Sequence, residues 1–118
     1  MKTIKNIGLK KNCIKNLQKY ISSKIKERGF EDETLHERLV LLMEEVGELA
    51  KACRKISGMN IDKNQEIKFK VGEEITDVIN MLFAVGIILN IDIEKEFILK
   101  ENKNNQREYE RSKEKIKS

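Results

Sequence analysis

Apolar residues recur along this chain at three- and four-residue intervals, and the intervals predict four helices. Ile14, Leu17, Ile21 and Ile25 form a single stripe from about Lys11 to Arg28, and Gly29 follows as a C-cap. A second helix starts near Thr34. Thr34 and Glu37 have the spacing of a capping box, in which each side chain satisfies a backbone donor of the other residue. Its apolar face carries Leu35, Leu39, Leu42, Val46, Leu49 and Cys53; Lys51, Arg54 and Lys55 suit its C-terminal dipole, and Ser57-Gly58 ends it.

After a short polar loop, Asp62 is placed to cap a third helix, with Gln65 three residues later and an end near Leu89. This helix opens charged and becomes apolar on every side from Val78 onward, so it needs cover from several directions. A chain of 118 residues has few helices to supply that cover, and this half reads as core plus subunit interface. Asn90 suits a left-handed turn and Asp92 caps a fourth helix, anchored by Ile93, Phe97 and Ile98. Residues 1–10 and 110–118 read as loosely ordered ends of one domain. The architecture expected is all-α, a four-helix bundle completed by homo-oligomerisation.

Composition agrees with helices: the chain has no Pro and six Gly, and 37% of it is charged. The net charge of +4 comes from lysines near the two ends, among them Lys10, Lys11, Lys15, Lys113 and Lys115, while the middle is locally acidic. So mild an excess is a weak pointer to nucleic acid. Cys13 and Cys53 form no CxxC motif and read as reduced, packed thiols. The run Val78 to Ile91 is shorter than the roughly 20 residues of a membrane span and contains Asn80. These features place the chain in the cytoplasm, away from membranes.

Two acidic clusters stand out against this background, Glu44-Glu45-Val46-Gly47-Glu48 and Glu73-Glu74-Ile75-Thr76-Asp77. On helices, Glu45 and Glu48 share a face, as do Glu74 and Asp77, and like charges at that spacing repel. Lysines offer one offset, with Lys51 three residues after Glu48 and Lys70 four before Glu74. A divalent cation offers another. The one histidine, His36, lies eight residues before Glu44 and reads as a surface residue rather than one at the pocket edge, so the donors are carboxylate oxygens, which suit Mg²⁺ or Mn²⁺ better than zinc. A third set, Lys100, Lys103, Asn104 and Arg107, falls on one face of the fourth helix with chemistry suited to phosphate. Each set alone reads as a solvated helix face. Together they describe a site where metal and cations share a polyphosphate.

In these motifs the chain resembles the MazG-type all-α nucleotide pyrophosphohydrolases, whose pattern is E-E-x-x-E, a variable gap and E-x-x-D. The stretches LLMEEVGELAKA and GEEITDVINMLFAVGIILNID are similar to the family's central helices, and KENKNNQREY to its K-x-x-K-N-x-x-R ending. The likeness runs from about Leu39 to Tyr109. It implies Mg²⁺-dependent hydrolysis of a nucleoside triphosphate to monophosphate and pyrophosphate, in nucleotide pool control or house-cleaning, by a homodimer or a dimer-of-dimers tetramer. It also implies that Glu45, Glu48, Glu74 and Asp77 ligate the metal, with Glu44 outside that set or on an extra ion. Glu48 is the first choice for activating water, and Glu45 is counted with it among the catalytic residues. Lys100, Lys103, Asn104 and Arg107 would meet phosphates, from a neighbouring subunit if need be. Asn80 would contact sugar or base, and Phe30 would stack on the base; the alternatives are a structural amide and a core aromatic. The competing reading is a non-catalytic helical interaction module, a nucleic-acid binder being one form of it, which would not need the carboxylates.

Overall fold

The computed structural model describes residues 8–56 and 65–117, with side chains at 8–56 and 66–107. Four helices and no strand are found among them: α1 (Cys13–Glu27), α2 (Leu35–Ile56), α3 (Gln65–Ile88) and α4 (Ile93–Lys117). The helices begin and end where local chemistry directs. The Thr34 hydroxyl accepts from the Glu37 amide at 3.1 Å, and the Glu37 carboxylate accepts from the Thr34 amide at 3.4 Å, which closes the capping box of α2. Asp92 accepts from the Lys95 amide at 3.1 Å and so caps α4. At the end of α1, Gly29 (φ 81°) lets the Phe30 amide reach back to the Ile25 carbonyl at 2.9 Å. Asn90 (φ 54°) does the same for Ile91 and the Gly86 carbonyl at the end of α3. The Ser57-Gly58 stop and the Asp62 cap lie outside the described residues. α4 runs as helix to Lys117.

α1 has no cap of its own, since Asn12 sits in the left-handed region and its side chain makes no capping bond. Glu94 of α4 supplies one from a distance, accepting from the Ile14 and Lys15 amides at 3.1 and 3.2 Å. A negative charge at this position also meets the positive end of the α1 dipole. Gln18 strengthens the junction. Its amide donates to the Ile91 carbonyl at 2.9 Å and its oxygen accepts from the Ile93 amide at 3.2 Å. α1 thus ties down the turn at which α4 leaves α3 with a bend of 105°. Gly86 permits that turn to pack closely, because a Cβ there would come within 2.7 Å of Ile93 Cδ1. No single helix among the described residues is long and apolar enough to cross a membrane.

α2 and α3 form the central antiparallel pair. The apolar face foreseen for α2 divides into two seams. Leu35, Leu42, Leu49 and Ala52 are buried or half-buried on the side that meets α3, whereas Leu39, Met43, Val46, Ala50 and Cys53 remain exposed. α3 divides in the same way. Ile67, Val71, Val78, Met81 and Val85 are half-buried, while Ile75, Ile79, Leu82 and Leu89 are exposed. Full burial of apolar side chains is confined to Ile21, Ala52 and Ala84 among the described residues. Cys13 and Cys53 are both exposed, contrary to the expectation of packed thiols, because each falls on a face that no described helix covers.

Replacing Glu94 with Ala removes the donated cap of α1, and the variant should lose about 1 kcal/mol of unfolding free energy. Urea denaturation followed by circular dichroism measures this. An unchanged midpoint would show that the cap carries no weight.

Candidate metal centre

The two inner seams each contain one acidic interruption. In α2, Glu45 stands between Leu42 and Leu49; in α3, Glu74 stands between Val71 and Val78. Antiparallel pairing sets these interruptions opposite one another. One ligand oxygen from each of Glu45, Glu74 and Asp77 lies within 4.8 Å of the others. Glu74 is only 4% exposed, Glu45 is half-buried and Asp77 is open to solvent. An ionised carboxylate in so dry a position is costly unless a partner offsets it. Lys70, one turn earlier on α3, supplies a partial offset with its Nζ 2.8 Å from Glu74 Oε1. The hydrogen bond to Glu74 and its negative charge hold the Lys70 ammonium above its usual pKa, with smaller help from Glu73 and Glu48.

Three carboxylates facing one ammonium leave an excess of two negative charges when all are ionised. Glu45 carries the strain. Desolvation pushes its carboxyl above the usual range, and repulsion from Asp77, Glu74, Glu48 and Glu44 adds to the rise. The donor set is all oxygen, held on two helices, with one exposed member at the mouth. That combination fits a hard divalent ion such as Mg²⁺ or Mn²⁺, which takes carboxylates and keeps several waters.

Helical geometry determines which carboxylates take part. With about 100° between successive residues, Glu45 points at α3, Glu48 turns partly aside and Glu44 turns further. Accordingly Glu48 and Glu44 are exposed and stand outside the three-residue group, close enough for both to repel Glu45. Glu48 sits instead at the rim of a neighbouring cavity that Lys51 and Lys70 also line. Asn80, one turn after Asp77, is half-buried and makes no hydrogen bond to a described residue. Phe30 is 51% exposed, which removes it from the core. His36 is exposed on α2.

The α4 set stands apart. From Asp77 to the end of α3 is about 17 Å at the helical rise, and α4 then departs at 105°. Lys100, Lys103 and Arg107 are exposed there, and the Asn104 amide donates to Glu101 at 3.3 Å. α4 packs on α1, and the principal partner of α2 is α3. Within one chain, therefore, these cations do not meet the carboxylates.

One residue escaped the sequence reading. Arg38 is 3% exposed, donates to the Ala84 carbonyl at 2.7 Å and the Phe30 carbonyl at 3.3 Å, and lies 3.7 Å from Glu33. It pins the α1–α2 connection, and with it Phe30, to the end of α3. The available signal was its register. Arg38 is three residues after Leu35 and four before Leu42, which puts it in the inner seam.

The raised Glu45 pKa has a definite sign. The folded chain holds this proton more tightly than the unfolded chain, so in metal-free buffer stability falls as pH rises from the ordinary carboxylate range through the raised value. Glu45→Gln should abolish that part of the fall and stabilise the metal-free protein at neutral pH. Thermal unfolding in a chelator from pH 4 to 8 checks this, and an identical pH profile in the variant would refute it.

No model of a known protein family matches this chain, and no curated protein matches it either.

Proposed function

We propose that the chain is a Mg²⁺-dependent nucleoside triphosphate pyrophosphohydrolase of the MazG-like kind that works as a homo-oligomer. The observation that carries this reading is the convergence of Glu45, Glu74 and Asp77, with ligand oxygens within 4.8 Å of one another at a place where, among the described residues, Lys70 alone is ion-paired to them. The resemblance of the two carboxylate motifs and of the α4 ending to that family supplies the reaction.

In this mechanism Glu45, Glu74 and Asp77 hold the ion. Bound Mg²⁺ neutralises phosphate oxygens and acidifies water. Glu48 lies close enough to repel Glu45 without belonging to the tight group, and it is assigned the role of base. It orients a water and accepts its proton as the oxygen attacks phosphorus; the α–β anhydride breaks, and nucleoside monophosphate and pyrophosphate leave. Asn80, half-buried with no bond to a described residue, has its amide available for sugar or base. Phe30, half-exposed and anchored through its carbonyl by Arg38, offers a ring for stacking.

The outer seams support the oligomer. Met43 is 67% exposed and continues a row with Leu39 and Val46, parallel to the row of Ile75, Ile79 and Leu82 on α3. Apolar rows at heptad-like spacing on adjacent helices are the usual surface of a helical bundle. The Cα radius of gyration is 18.1 Å, against about 13.5 Å for a compact chain of this length. A second copy laid on these rows would bury them.

Two measurements test the proposal. In a panel of nucleoside triphosphates, Mg²⁺-dependent pyrophosphate release is expected for at least one. Glu48→Gln should lower kcat by roughly 10²–10⁴-fold while keeping the Mg²⁺-induced rise in melting temperature, and Glu74→Gln should lose both. A wild-type chain that turns over no nucleotide would favour a helical interaction module instead. In sedimentation analysis the wild type should exceed the mass of one chain, and Val46→Lys should move it towards that mass; a monomeric wild type would refute the oligomer.

A further inference from the structure

The α1–α2 connection carries Phe30, and the Phe30 backbone is held on both sides. Its amide donates to the Ile25 carbonyl at 2.9 Å, and its carbonyl accepts from the Glu33 amide and from Arg38 Nη2, each at 3.3 Å. The ring is 51% exposed. Tyr20, Phe69 and Phe97 are exposed too, but they sit on the faces of α1, α3 and α4, whereas Phe30 stands on a fixed loop.

Arg38 makes that fixation costly. Its guanidinium, 3% exposed, gives up hydration that two carbonyl bonds only partly replace. Nη1 donates to the Ala84 carbonyl at 2.7 Å, whereas Nε makes no hydrogen bond and lies 3.7 Å from Glu33. Leucine would fill the same place in the seam, between Leu35 and Leu42, but could tie nothing together. What the guanidinium adds is a bridge from the connection to the end of α3.

The bridge lies in register with the acids. Glu45 comes seven residues after Arg38 on α2, and Asp77 comes seven before Ala84 on α3. Seven residues are close to two turns, so the same side of each helix returns after about 10 Å. Antiparallel pairing therefore sets the Arg38–Ala84 layer one such step along the seam from the Glu45–Asp77 layer, with half-buried Asn80 on the turn between. That step is comparable to the reach of a nucleotide from its phosphates across the sugar to the base.

We propose that Arg38 is a positioning residue. By fastening the Phe30 backbone to α3 it sets the spacing between the ring and the acidic layer, and so governs recognition of the base without touching the metal or the reacting atoms. That the occupant is a nucleotide base rests on the pyrophosphohydrolase reading; the coupling of Arg38 to Phe30 rests on the hydrogen bonds.

The test begins with a reporter. The chain has no Trp, so Phe30→Trp introduces a single indole. Its fluorescence should respond to at least one nucleoside triphosphate in the presence of Mg²⁺ and not to inorganic tripolyphosphate. Adding Arg38→Lys, which keeps the charge but not the fork, should weaken that nucleotide response about ten-fold, the scale of a lost stacking contact. In the otherwise native chain Arg38→Lys should raise KM by a similar factor with kcat within about two-fold of wild type. Inhibition by tripolyphosphate and the Mg²⁺-induced rise in melting temperature should stay as in wild type, which a general loosening of the bundle would not allow. Should Arg38→Lys fail to fold, Gly29→Ala reaches the same connection, because φ 81° disfavours a side chain there while open space surrounds the new methyl, and KM should rise in the same direction. An indole silent to every nucleotide, wild-type nucleotide affinity after Arg38→Lys, or an equal loss of tripolyphosphate binding would each overturn the proposal. Should the indole report a nucleotide whose binding depends on Arg38 while the wild type releases no pyrophosphate, the positioning role stands and the hydrolytic assignment falls.

Discussion

Glu74 is held almost out of water at the junction of two helices, and most of what is distinctive in this chain follows from that placement. A buried carboxylate must be offset. Lys70 does so at 2.8 Å, but Glu45 faces the same point from α2 and Asp77 flanks it, so one ammonium serves three acids. The unbalanced charge surfaces at Glu45, whose proton affinity is raised. Leucine at positions 45 and 74 would remove the repulsion, since both positions stand among the apolar residues of the packed seams.

The same pair of helices separates two kinds of surface. One edge carries the outer apolar rows of Leu39, Met43 and Val46 and of Ile75, Ile79 and Leu82. The other carries Glu48, the lysines of the neighbouring cavity and Asn80. Apolar and charged side chains are therefore sorted to opposite sides of the α2–α3 contact. α1 and the α3–α4 turn serve as bracing. Gln18 and Glu94 join them by hydrogen bonds distant in sequence, and Arg38 fastens the α1–α2 connection to the end of α3.

Resemblance and comparison bear differently on the functional reading. The MazG-like reading of the carboxylate spacing and the α4 ending is a proposal, and no family model or curated protein matches the chain. The proposal accordingly leans on the geometry of the acids.

Much was legible from the residues alone because its causes are local. The Thr34–Glu37 box, the turns at Gly29 and Asn90 and the Asp92 cap involve atoms a few residues apart, and each forms as expected. Acidic motifs on consecutive helices could likewise be read as candidates for one site. Which acids meet was decided only by the pairing of α2 with α3, because a turn of about 100° separates Glu45 from its neighbour Glu44. Pairing also split the apparent single face of α2 into a packed seam and an open one, buried Arg38 and exposed both cysteines. These outcomes depend on what lies across an interface, and periodicity along one helix carries no record of its neighbour.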